Sequence, residues 1–153
     1  MTLSRMLAPT LLLGALSAFA PLTYAKTCEL AIEGNDAMQF NKTTLAVAAD
    51  CTEIKLTLKH SGKLPAAAMG HNWVLTETSA FQAVATAGMS AGLPNNYVPK
   101  DDARALAHTK VVGGGESTSV TFPTSKLKKG GDYTFFCSFP GHWSVMKGKL
   151  TFG

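Results

Sequence analysis

Strict alternation is the feature that most limits what this chain can fold into. In Glu53-Ile54-Lys55-Leu56-Thr57-Leu58-Lys59 every second residue is apolar. That period places Ile54, Leu56 and Leu58 on one face and the charges on the other, which describes a half-buried β-strand and not a helix. Further short strand candidates fall at residues 29–32, 43–47, 72–76, 117–122, 133–137 and 148–152. Turn formers divide them: Gly113-Gly114-Gly115, Pro123 after the 117–122 run, and Gly130-Gly131. Short strands at this spacing predict an all-β, two-sheet antiparallel sandwich. One stretch departs from the pattern. Residues 79–89 are alanine-rich, and Phe81, Val84, Ala85, Gly88 and Met89 share one helical face. Ser79 is the candidate cap, and Gly92 and Pro94 the stop. The sandwich therefore carries one short helical insertion.

The length of 153 residues suits one domain, and 46% apolar against 16% charged residues argues for a packed core. Residues 1–25 stand outside it. Arg5 is followed by an apolar run from Met6 to Ala20, and Thr23-Tyr24-Ala25 offers small residues at a cleavage site. This is the pattern of a secretory signal peptide, leaving residues 26–153 as a single mature domain. The run is broken by Pro9 and Pro21 and falls short of the roughly 20 apolar residues a bilayer span needs. No membrane insertion is expected, and export to the periplasm is. Loss of Arg5 with the leader lowers the formal net charge from +4 to +3. Lysines cluster only at Lys126, Lys128 and Lys129, too sparsely for a nucleic-acid footprint.

An exported chain with three cysteines, Cys28, Cys51 and Cys137, has three possible pairings. Cys28 and Cys51 lie near the mature N-terminus at the edges of strand candidates and form the natural pair. That bridge would close about two dozen residues and contribute about 3 kcal/mol. Cys137 is then left over, and an unpaired thiol in an oxidising compartment calls for an occupant.

The residues just after Cys137 suggest the occupant. Cys137-Ser138-Phe139-Pro140-Gly141-His142-Trp143-Ser144-Val145-Met146 sets a thiol, an imidazole and a thioether in one loop between two strands. Pro140 and Gly141 favour a tight turn that can aim all three side chains at one point. A fourth group must come from elsewhere, and His71 at the start of the 72–76 strand is the candidate. Soft sulfur with imidazole selects copper over magnesium, calcium or manganese, and two His, one Cys and a weak axial Met is the ligand set of blue-copper electron-transfer sites. A zinc site would more typically offer further Cys or His ligands. The expectation is one copper ion and single-electron transfer.

The chain closely resembles the azurins, bacterial members of the cupredoxin family. The resemblance runs from Cys28 to the C-terminus. It is carried by Gly34-Asn35-Asp36, Met38-Gln39-Phe40-Asn41, Met69-Gly70-His71-Asn72-Trp73-Val74-Leu75, Ala107-His108-Thr109-Lys110, Phe135-Phe136-Cys137, Phe139-Pro140-Gly141-His142 and Met146-Lys147-Gly148. It implies a cupredoxin-like Greek-key β-sandwich. It also implies His71, Cys137 and His142 as strong ligands, Met146 as a distant axial ligand, and the Gly70 carbonyl opposite. Backbone amides of Asn72 and Phe139 would donate to the Cys137 sulfur, Cys28 and Cys51 would form the family disulfide, and Trp73 would be the core tryptophan. His60 matches a histidine near the metal, whereas His108 reads as surface. An apolar docking patch of Met38, Leu64, Met69, Met89 and Phe139 is implied around an exposed edge of His142. Trp143 departs from the family's small residue and either enlarges that patch or folds under the loop. The implied partners are redox proteins such as c-type cytochromes or nitrite reductase, met in transient encounters by a monomer.

Two other function classes compete. A copper oxidase or reductase needs an open coordination position or a second metal, and one filled site supplies neither. A copper-delivery protein would use exposed Met-rich or Cys-x-x-Cys ligands, which are absent from this sequence.

Overall fold

The computed structural model describes residues 25–153. The signal-peptide reading of residues 1–25 lies, but for its last residue, outside them. Among the described residues eight strands form two sheets. The first is built from β1 (Thr27–Gly34), β3 (Glu53–His60) and β6 (Ser117–Pro123), in the order β1-β3-β6. The second is built from β2 (Thr44–Val47), β4 (Val74–Glu77), β5 (Ala107–His108), β7 (Tyr133–Phe136) and β8 (Lys147–Phe152), in the order β2-β8-β7-β4-β5.

The alternation read in β3 works as expected, with Ile54, Leu56 and Leu58 fully buried between the sheets. They pack with Trp73, Leu75, Phe135 and Leu150, and burying each such aliphatic side chain stabilises the fold by about 1.5–3 kcal/mol. The same inward row ends on His60, so the period that builds the core also delivers an imidazole to one end of it.

The sheets are mixed, not antiparallel throughout. β1 pairs with β3 in parallel, and β2 with β8 likewise. Between β1 and β3 the chain crosses to the other sheet as β2 and returns, so β3 comes back running the same way as β1. Alternation reveals which face a residue takes but not the direction of the neighbouring strand. β5 has only two residues and no alternation to betray it.

The helical insertion is α2 (Phe81–Ala91), preceded by a single 3-10 turn over Thr78–Ala80 and followed by Gly92 with φ +69°. Ser79 lies within that turn, and no side chain caps α2, in contrast to the expected Ser79 cap. Val84, Ala85 and Gly88 are buried, while Met89 ends on the surface. A further helical turn, α1 (Ala66–Met69), leads directly into Gly70 and His71. Cys28 and Cys51 form a disulfide with Cα atoms 5.8 Å apart, joining β1 to the residue just before the Thr52–Glu53 entry into β3. Among the described residues no helix is long and apolar enough to cross a membrane.

Candidate metal centre

Three loops meet at the end of the sandwich opposite the disulfide's strand starts. His71 is held by a two-bond bridge to Val112, with N–H···O distances of 3.0 and 2.8 Å, just before β4 begins. Cys137 is the first residue after β7, and Met146 the last before β8. The loop between them is closed by Cys137 N–H donating to the Met146 carbonyl at 3.0 Å. Inside it, His142 N–H donates to the Phe139 carbonyl at 3.0 Å and Met146 N–H to the His142 carbonyl at 2.8 Å. Gly141 makes this turn possible with φ +82°, a left-handed conformation that side-chain-bearing residues resist.

The result is a convergence of donors. The Cys137 sulfur lies 3.8 Å from His71 Nδ1, 3.6 Å from His142 Nδ1 and 3.9 Å from the Gly70 carbonyl oxygen. The sulfur and the ligand nitrogens all lie within 4.8 Å of one another, and all three residues are buried. Met146 is buried in the same cluster as Cys137 and Phe139. His71 Nε2–H donates to the Asn35 carbonyl at 2.8 Å, which leaves the Nδ1 lone pair facing the sulfur. Gly34 makes room for this packing. A Cβ there would stand 2.7 Å from the Met146 methyl carbon and 2.8 Å from His71 Cδ2.

Burial keeps the donors at the centre uncharged. Burial pushes the Cys137 thiol up to about 12, although the backbone amides of Asn72 and Phe139 pull the other way. Burial lowers His142 to about 4, with His71 and His60 adding to the effect, and burial likewise lowers His71. Two neutral imidazoles and a thiol are brought together out of water with their lone pairs facing inward. That donor set fits a soft, thiolate-binding metal.

The sequence-derived positions are largely brought together. Cys137, His71, His142, Met146 and Gly70 meet at the centre, and the backbone amides of Asn72 and Phe139 face the sulfur. Trp73 is fully buried in the main core. His60 stacks on His71 with ring centroids 4.3 Å apart and bonds the Met69 carbonyl through Nε2 at 2.8 Å. His108 is exposed on β5. The docking-patch residues divide. Met38, Leu64 and Met89 are exposed and Met69 is half-buried. Phe139, in contrast, is buried, with its ring 4.7 Å from His142 and 5.2 Å from Tyr97. Trp143 turns away to pack edge-on against Phe81 of α2, centroids 5.9 Å apart, beside Val74, Val84 and Phe136. It is half-buried there, because a large apolar ring gains from contact with that cluster. His142 keeps only 3% of its surface, less than an exposed edge suggests. Its Nε2 has no hydrogen-bond partner, yet it is not among the fully buried unpartnered side-chain atoms, which among the described residues are Trp73 Nε1 and Thr76 Oγ1.

Three contributors carry little or no mark in the sequence. Gly34 appears in the sequence only within the Gly34-Asn35-Asp36 motif, and nothing local marks the close approach it permits. Val145, 64% exposed beside Met146, carries no sequence signal of exposure. Asn96 contacts two ligand-flanking residues from a distant segment, through geometry that only the fold creates.

Residues 26–153 match the family model for copper-binding proteins of the plastocyanin/azurin family. The azurin of Alcaligenes faecalis is 60% identical over 126 residues, covering 82% of this chain and 98% of that protein. The azurin of Pseudomonas aeruginosa is 50% identical over 147 residues, covering 96% and 97%. A solved azurin structure from the obligate methylotroph Methylomonas sp. strain J superposes with a TM-score of 0.80 at 42% identity, covering 82% of this chain and 98% of that one. With a buried His-Cys-His cluster at the end of a mixed two-sheet sandwich, and with these relatives, the chain belongs to the plastocyanin/azurin family of copper-binding proteins.

Proposed function

We propose that this chain is an exported periplasmic electron carrier, and not an enzyme. It would pass single electrons between redox proteins such as c-type cytochromes or nitrite reductase. The observation that carries the reading is the convergence of Cys137 Sγ with His71 Nδ1 and His142 Nδ1. Copper bound there supplies a one-electron couple between its Cu(I) and Cu(II) states.

The residues divide the work. Cys137 gives up its thiol proton on loading and offers a thiolate. His71 and His142, already neutral in the buried cluster, offer Nδ1 without losing a proton. Met146 and the Gly70 carbonyl serve as weak donors that adjust the couple. The Asn72 and Phe139 amides stabilise charge on the sulfur. The bonds across the 137–146 loop and the Val112 bridge keep these groups in place whichever charge state they face. Less movement between the two states means faster exchange. His142 Nε2 offers the short path to the surface, and exposed Met38, Leu64 and Met89 suit brief apolar encounters.

Burial of all the donors supports a carrier over an oxidase or reductase, which must admit a substrate to the metal. The test is titration of metal-free protein with copper(II), followed by stopped-flow mixing with a reduced c-type cytochrome. The expected result is an intense blue thiolate-to-copper absorption that saturates at one equivalent and bleaches on mixing. A pale product, or a blue one that the cytochrome cannot reduce, would count against the reading.

A further inference from the structure

The chain spends backbone strain at Asn96 and Tyr97. Both are side-chain-bearing residues in the left-handed region, with φ +56° and +52°. Consecutive left-handed residues persist only where their surroundings over-determine them, and such positions gather at functional sites. Here the determinants point at the metal centre. The Asn96 carbonyl accepts a 2.7 Å bond from Asn72 Nδ2 and a 3.3 Å bond from Ser138 Oγ. Asn96 Oδ1 accepts the Val111 amide at 3.0 Å. The Tyr97 ring meets Phe139 edge-on at 5.2 Å. From the other side, a Cβ on Gly88 of α2 would run into the Tyr97 carbonyl, so the helix backs the segment closely.

Asn72 follows His71, and Ser138 follows Cys137. Asn72 is fully buried, and its side-chain amide is held at three points: Nδ2 donates to the Asn96 carbonyl and at 2.7 Å to Ser138 Oγ, and Oδ1 accepts the Ser138 amide at 2.8 Å. The Asn72 main-chain amide in turn faces the Cys137 sulfur.

We infer that Asn96 is a positioning residue: its left-handed backbone presents the carbonyl that fixes Asn72, and through Asn72 the amide that tunes the Cys137 thiolate. This rests on the ligand assignment proposed above. If the carbonyl swings away, a buried amide loses a partner and Asn72 must readjust. Amide donors to sulfur favour the reduced state, in which the sulfur carries more negative charge. Weakening them therefore favours the oxidised state.

The test compares Asn96→Val, whose β-branched side chain resists the left-handed region, with Asn96→Gly, which enters it freely. Two quantities are read: hydrogen exchange of the Ser138 amide in metal-free protein, and the reduction equilibrium of copper-loaded protein against a fixed reference couple. In Asn96→Val, Ser138 exchange should quicken several-fold and the reduction equilibrium should move about threefold toward the oxidised form. Asn96→Gly keeps the left-handed backbone and loses only the bond from the Val111 amide, so it should shift less than Asn96→Val in both. If Asn96→Val does not fold, Asn96→Ala takes its place. A valine or alanine variant unchanged in both quantities overturns the inference, as does a glycine variant that shifts as far as they do. A wild-type protein that takes copper without a blue band would instead overturn the ligand assignment, and the metal-free exchange measurement separates the two failures.

Discussion

The molecule treats its cysteines in two opposite ways. Cys28 and Cys51 are joined between β1 and the approach to β3, with their Cα atoms 5.8 Å apart. Cys137 is a free thiol buried at the end of β7 between two imidazoles. One pair restrains the unfolded chain and does no chemistry. The other sulfur adds little restraint but is arranged for chemistry. The contrast teaches that sulfur is assigned here by position relative to the strands: Cys28 lies in β1 and Cys51 just ahead of β3, the strand that pairs with it, whereas Cys137 lies where a strand ends in a loop.

The largest expected effect breaks the contrast outright. Cys137→Ser replaces a soft thiolate with a hard, weakly acidic hydroxyl. The blue absorption of copper-loaded protein should disappear completely, while far-UV circular dichroism stays that of the wild type because the disulfide and both sheets are untouched. A variant that stayed blue would remove Cys137 from the site.

Removing the disulfide should do the reverse. Cys28→Ser with Cys51→Ser should lower unfolding stability by about 3 kcal/mol, from the loop it no longer closes. The copper spectrum should not change. Urea denaturation recorded with the optical spectrum checks both halves, and an altered spectrum would show that the two regions are coupled.

The third prediction uses pH on metal-free protein. The Cys137 thiol is raised from 9.0 to about 12, so its contribution to stability is complete below pH 9 and declines as pH rises from 9 through 12. His142 is lowered from 6.5 to about 4, so its contribution is present above pH 6.5 and lost as pH falls from 6.5 through 4. Unfolding midpoints in urea should therefore be highest between about pH 6.5 and 9 and fall on both sides. Copper uptake at pH 7 should release about one proton, from Cys137, as neutral imidazoles have none to lose. A pH-stat measurement giving close to three would contradict the buried-neutral histidines.

The smallest effect sharpens the comparison within the site. Met146 should adjust the couple and not hold the ion. Met146→Gln, with a harder oxygen donor, should lower the reduction potential, and Met146→Leu, which removes a donor, should raise it and stay blue. Voltammetry that finds both variants at the wild-type potential would exclude Met146 as a donor to the copper.

Much of this was legible in one dimension because the carriers are local. The 53–59 alternation places Ile54, Leu56 and Leu58 inside wherever β3 lies, because side chains alternate with a period of two whatever the partner strand does. The spacing from Cys137 to Met146 confines thiol, imidazole and thioether to one short loop. Even the helix at residues 81–91 was visible as a change of period.

What remained hidden depends on contacts between residues far apart in sequence. Parallel pairing of β1 with β3 arises from a crossover through the other sheet, which no local pattern records. Trp143 could face solvent or core, and the decision lay with Phe81, which sits 62 positions earlier in the chain. His71 was nominated by its neighbours in sequence, but its tautomer was set by the Asn35 carbonyl on another strand end. Asn96 reads as an ordinary loop asparagine until the fold brings its carbonyl to Asn72 and Ser138. Residue type and period determined the sandwich class, the core rows and the candidate donors His71, Cys137, His142 and Met146. Strand direction, exposure and the hydrogen bonds that aim the ligands were decided only in three dimensions, because each is a property of a pair of groups and not of one residue.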